Sequence, residues 1–111
     1  MMNFKETGLS RAKVVSLEAR GWLVHPDSVP SGKEVVIYDI WVSGTTEIRA
    51  TTDTDTPTSG GTLLMPFTLP GYNGGTGMNF SAGAPGGKGN GIYNEGLTVN
   101  VIMTYTIESV H

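Results

Sequence analysis

From Leu97 to Glu108 the residues alternate: Leu97, Val99, Val101, Met103, Tyr105 and Ile107 fall on one side. Thr98, Asn100, Ile102, Thr104, Thr106 and Glu108, polar apart from Ile102, fall on the other. A period of two is the side-chain repeat of an extended strand, and a helix would scatter such a pattern over all its faces. One side of this C-terminal strand is therefore core and the other mostly polar, and the rest of the chain has to cover the apolar side.

The preceding segments also read as strands. "KEVVIYDIWVSG", from Lys33, puts Val36, Tyr38, Ile40 and Val42 on one face and Val35, Ile37, Asp39 and Trp41 on the other. Both faces are largely apolar, as in a strand covered from two sides by its own domain or by a neighbouring subunit. "AKVVSLEARGWLV", residues 12–24, suits a strand better than a helix capped by Ser10 and ended by Gly21. "HPDSVPSG", residues 25–32, is a loop; "TTEIRATT" is a short strand ending in the Thr/Asp/Pro loop from Asp53 to Gly61. "TLLMPFTLP" is another strand, and Pro66, which cannot donate to a ladder, marks an edge or a bulge. Residues 71–91 hold nine glycines, with Tyr72, Met78 and Phe80 as anchors, and read as a long loop with a short strand around Met78 to Phe80. Strands separated by turn signals predict an all-β fold, an antiparallel β-sandwich of jelly-roll type. Residues 1–10 read as an N-terminal arm and 11–111 as one sandwich domain.

At 111 residues such a domain leaves modest room for a core together with a deep cavity. The net charge is −3 and no Lys/Arg cluster occurs, so the electrostatic footprint for phosphate backbones or anionic lipid is missing. Nucleic acid and membrane are not expected partners. The absence of cysteine excludes disulfides and thiolate metal sites. "MMNFKETGLS" has no apolar stretch of signal-peptide length.

"SAGAPGGKGNGIYNEG", residues 81–96, sets Lys88 among glycines as a phosphate loop would. However, Ala82 stands where the first glycine of that loop belongs, and Gly89 replaces its hydroxyl residue. A strand pattern follows where a helix N-terminus should face the anion. No nucleotide is expected. Instead the glycine-rich backbone is read as a mobile segment that orders against a partner, with Lys88 as a contact charge.

Other constellations are weak. His25, Asp27 and Ser28 supply the residue types of a hydrolase triad, but near neighbours in a loop cannot easily surround one substrate atom, and a proline-ordered turn is the simpler reading. Neither His25 nor His111 has a spaced partner for a metal site. Asp53 and Asp55 sit two apart as calcium ligands can, without the later acidic ligand of a full loop. Asp39 is an odd carboxylate on an apolar strand, explained by burial at a subunit contact as well as by catalysis. Trp22, Tyr38, Trp41, Tyr72 and Tyr93 are candidates for a sugar-binding face. No catalytic residue, cofactor or metal is assigned.

"SGKEVVIYDIWVSGTT", followed at a distance by "GKGNGIYNEGLTVNVIMTYTIE", resembles the small β-rich virion proteins of tailed bacteriophages, in which a glycine turn precedes a short Gly-Ile-Tyr strand and a closing threonine/apolar strand. The resemblance covers roughly residues 33–108 and implies a non-enzymatic structural protein made in the host cytoplasm and located in the virion. A capsid decoration or cement protein that binds between subunits of the major capsid protein, or another virion protein, is the leading expectation. A carbohydrate-binding or fibre-tip module is the alternative, and a small esterase a more distant one. The two apolar faces of the strand from Lys33 predict a homotrimer. Trp41, Tyr38, Asp39, Trp22, Tyr72 and Lys88 are the expected interface residues.

Overall fold

A computed structural model describes residues 12–53, 61–68 and 75–110. The described residues form an antiparallel β-sandwich of eight strands: β1 (Lys13–Leu17), β2 (Gly21–Val24), β3 (Lys33–Val42), β4 (Thr46–Thr51), β5 (Thr62–Phe67), β6 (Thr76–Pro85), β7 (Gly91–Asn94) and β8 (Val101–Ser109). The first sheet has the order β1-β8-β3-β6 and the second β2-β7-β4-β5. Pairing is nested, β1 with β8, β2 with β7, β3 with β6 and β4 with β5. The expected N-terminal arm lies outside the described residues.

The core forms between the sheets. Val35, Ile37, Ile40, Val42, Val101 and Met103 from the first sheet meet Leu23, Val24, Ile48, Ala50, Met65, Phe67 and Ile92 from the second. The C-terminal alternation holds from Val101: Val101 and Met103 are fully buried, Ile102 is exposed, and β8 lies inside its sheet between β1 and β3, whereas Leu97 lies in the turn before β8 and is exposed, and Thr106 is buried. β5 is an edge strand, and Pro66 sits in it opposite Glu47, where a missing N–H costs least.

Three expectations change. Residues 12–24 are not one strand: β1 and β2 belong to different sheets, and the polar turn Glu18–Ala19–Arg20 carries the chain across. The glycine-rich stretch is not a long loop, because residues 76–85 form β6, held by its ladder to β3 more than by any apolar pattern of its own. The third change is in β3. Ile37 pairs with Tyr105 and Asp39 with Thr104, so two residues of β3 oppose one step of β8 and Tyr38 is the extra residue of a β-bulge. A bulge shifts the parity of every later residue. Val35 and Ile37 therefore share the core face with Ile40 and Val42, and Asp39 and Trp41 stand on the outside. Four residues of β6, Phe80 to Gly83, stand opposite Tyr38 alone.

Asn94, at the end of β7, is fully buried on the core side. Its Oδ1 accepts from Thr46 Oγ1 at 2.5 Å, and its Nδ2 donates to Ala19 O at 3.1 Å, Val99 O at 3.3 Å and Gly96 O at 3.4 Å. Gly96 N in turn donates to Thr46 Oγ1 at 2.8 Å. One amide thus ties the β1–β2 turn, the start of β4 and the β7–β8 loop together. Asn94→Ala takes the acceptor from the buried Thr46 hydroxyl proton and the donor from the buried Val99 carbonyl, and is expected to cost about 3 kcal/mol. Thr98→Ala, at an exposed turn position, is expected to cost less than about 0.5 kcal/mol. Urea unfolding of the two variants checks the contrast.

Candidate functional site

The glycine stretch around Lys88 is an internal turn. Gly86 N donates to Val35 O at 2.7 Å, Gly89 N to Lys33 O at 2.8 Å and Asn90 N to Gly87 O at 3.1 Å. Gly87 N also donates to Glu34 Oε1 at 3.2 Å. Gly87 and Gly89 have φ of 96° and 74°, values that suit glycine. Their N–H groups are spent on β3, not gathered around an anion. Lys88 projects from this turn exposed. The segment expected to order on contact is already bonded to β3.

His25 caps a single 3₁₀ turn, Pro26–Ser28, its Nδ1 accepting from Asp27 N at 3.1 Å. That bond gives the His25–Asp27–Ser28 group a structural explanation. Asp53 N donates to Thr51 Oγ1 at 3.0 Å, while Asp55 and His111 lie outside the described residues. Among the described residues no group of three or more His, Asp or Glu is placed to hold a metal ion.

The five aromatics do not make one face. Trp22 and Tyr93 pair across β2 and β7 on the outer side of the second sheet, with ring centroids 5.0 Å apart, and His25 lies 5.1 Å from Trp22. Arg49, opposite Tyr93, sits between two carboxylates: Nη2 is 2.6 Å from Glu47 Oε1, and Nε is 3.0 Å from Glu95 Oε2. The Nε contact is an ion pair without hydrogen-bond alignment. The hydrogen bond from Arg49, more than any other contact, holds the Glu47 carboxyl below the ordinary range. Tyr93 is covered and the charges answer one another, so this cluster covers its own sheet and presents little unspent chemistry. Tyr38 and Trp41 belong to the opposite side of the molecule, and Tyr72 lies outside the described residues.

On the outer side of the first sheet the side chains stand in two rows across the strands. Val14, Thr104, Asp39 and Asn79 form one row; Ser16, Ile102, Trp41 and Gly77 form the next. Trp41 is 38% exposed and lies across the edge strand's glycines. A Cβ on Gly75 would come within 2.6 Å of its Cζ2, and one on Gly77 within 3.6 Å of its Cδ1. Glycine at position 75 is what lets the indole approach the backbone there this closely. Asp39 is exposed in the single chain, and its Oδ1 accepts from Asn79 Nδ2 at 2.6 Å. Asp39, Trp41, Met78, Asn79, Ile102 and Thr104 line a shallow open groove of about 330 Å³.

The bulge also removes the reason for placing Trp41 at a self-contact. β3 has one apolar face, not two, since Val36, though outward, is already 8% exposed beside Gly83 and Tyr38. No family model, curated protein or solved structure matches the chain. Trp41 and Asp39 were visible in the sequence as candidates. Asn79, Thr104 and Ile102 were not, because only the register across β6, β3 and β8 sets them beside these two.

Tyr38 closes the far end of this face, donating its hydroxyl to Glu108 Oε2 at 2.8 Å, and Thr106 Oγ1 donates to the same oxygen at 2.5 Å. The bond to Glu108 raises the Tyr38 pKa above its ordinary value, with burial and the carboxylate charge adding to it. A raised folded pKa means that the stabilisation is complete below the unfolded tyrosine pKa and is lost as pH rises through the folded one. A tyrosinate absorbance titration should show Tyr38 ionising above a free tyrosine, and Glu108→Gln should bring it back towards normal. An unchanged titration in that variant would contradict the assignment.

Proposed function

We propose that this chain is a non-enzymatic structural protein of a tailed-bacteriophage virion, a capsid decoration or cement protein that works as a homotrimer by surface contact. The observation that carries the reading is the open edge of β1. Among the described residues nothing pairs with its outer side, and Val14 on this strand and Leu97 beside the β1–β2 turn are 69% and 66% exposed. An unpaired strand edge flanked by exposed apolar side chains favours association with another chain. The nested pairing of the strands supports the same reading, since it is the winding order of a jelly roll, an architecture found in viral capsid and lectin domains. The sequence resemblance to phage virion proteins points the same way. Binding the assembled shell and not its dissociated subunits would stabilise the shell by mass action.

Light scattering at micromolar concentration is expected to give three times the 11.7 kDa chain mass. Val14→Lys, which puts a charge on the edge, is expected to give monomer, and Trp41→Ala to remain trimeric. Mass spectrometry of gradient-purified particles from a culture producing the chain should find it at a fixed ratio to the shell protein. A monomeric wild type, or a chain recovered free and never with particles, would overturn the reading.

A further inference from the structure

We propose that the outer face of the first sheet carries a saccharide site, in which one pyranose ring of a neutral glycan stacks on Trp41 while its hydroxyl groups bond to Asp39, Asn79 and Thr104. This inference stands on the groove alone and does not depend on a virion role.

The groove combines two kinds of surface. Trp41 supplies an aromatic platform packed against Gly75 and Gly77, a contact that narrows its freedom before a ligand arrives. Ile102, 45% exposed, extends the apolar side. The apolar C–H face of a sugar ring meets the electron-rich face of an indole favourably. Two residues along the same face of β3, about 7 Å away at the rise of an extended strand, lies Asp39. That separation is close to the width of a pyranose ring with its hydroxyl groups.

Hydrogen-bonding capacity on the polar side is unspent. Asn79 takes one oxygen of Asp39. Among the described residues the second Asp39 oxygen, the Thr104 hydroxyl and the Trp41 indole N–H have no protein partner. A carboxylate, an amide and a hydroxyl side by side offer acceptors and donors together, which is what vicinal hydroxyls require. Hydroxyl donation to an ionised carboxylate is also stronger than a bond between neutral groups.

Charge selects among occupants. Asp39 lines the groove and, among the described residues, no lysine or arginine does, so phosphate, sulfate and uronate ligands are disfavoured. A second copy docked by this face would bury the Asp39 charge without a cation to meet it, which costs more than the apolar contact returns. A flat apolar ligand would leave the second oxygen of the same carboxylate without a partner. A neutral polyol satisfies both halves of the surface.

The test is amide-shift NMR of the full chain titrated with maltohexaose, cellohexaose, mannohexaose and laminarihexaose, each to about 20 mM, a range that detects even millimolar affinity. Saturable shifts centred on Trp41, Asn79 and Thr104 are expected with at least one of them. Trp41→Ala and Asp39→Ala should each weaken that binding about tenfold or more, and Trp22→Ala, on the opposite sheet, should leave it unchanged. Asn79→Ala keeps the test decisive if loss of the indole disturbs β6. The proposal is overturned if no probe shifts the groove, if binding survives in both Asp39→Ala and Asn79→Ala, or if the groove amides shift with protein concentration and not with sugar.

Discussion

The extra residue in β3 governs what this molecule presents to its surroundings. Without the bulge at Tyr38, strict alternation would place either Val35 and Ile37 or Ile40 and Val42 in solvent, because the two pairs have opposite parity along the chain. The bulge reconciles them: all four side chains enter the core, and the outer face receives Asp39 and Trp41. Burying a branched aliphatic side chain contributes about 1.5–3 kcal/mol, so two such residues outweigh the ladder hydrogen bonds that a bulge disrupts. Tyr38 itself is anchored to Glu108, which fixes the bulged residue over the sheet.

A second constraint acts at the end of the sandwich where β7 stops. Asn94 is a polar residue in a core position, and its bonds reach the β1–β2 turn, the start of β4 and the β7–β8 loop. The amide gives these segments partners that an apolar side chain could not, and it fixes the loop bearing Leu97 next to the turn that ends β1. The proposed assembly edge and the groove on the outer face therefore rest on separate supports. The edge depends on the Asn94 node and the groove on the bulge, although Val14 at the edge is the cross-strand neighbour of Thr104 in the groove.

Legibility in the sequence followed the regularity of each element. β8 could be read because almost every residue alternates, and Pro66 marked an edge because its lost N–H has few tolerable places. Of β6 only the part around Met78 to Phe80 could be read, since its glycines carry no pattern and the rest of its strand character comes from pairing with β3. The faces of β3 were misassigned because an apolar run conceals a one-residue slip: Val, Ile and Tyr are acceptable on either side. The same slip hid the partners of Asp39 and Trp41. The turn at Glu18–Arg20 did carry a signal, a polar interruption between Leu17 and Gly21, which the surrounding β-branched residues outweighed.

The account depends most on Trp41 standing on an open face and not in a contact between copies. The chain has two tryptophans, so Trp22→Phe leaves Trp41 as the only reporter. Acrylamide quenching of its fluorescence, compared between the assembled protein and a monomeric edge variant, measures the point directly. Equal quenching in both is the expected result; an indole shielded only in the assembly would contradict the account and put Trp41 back in the interface.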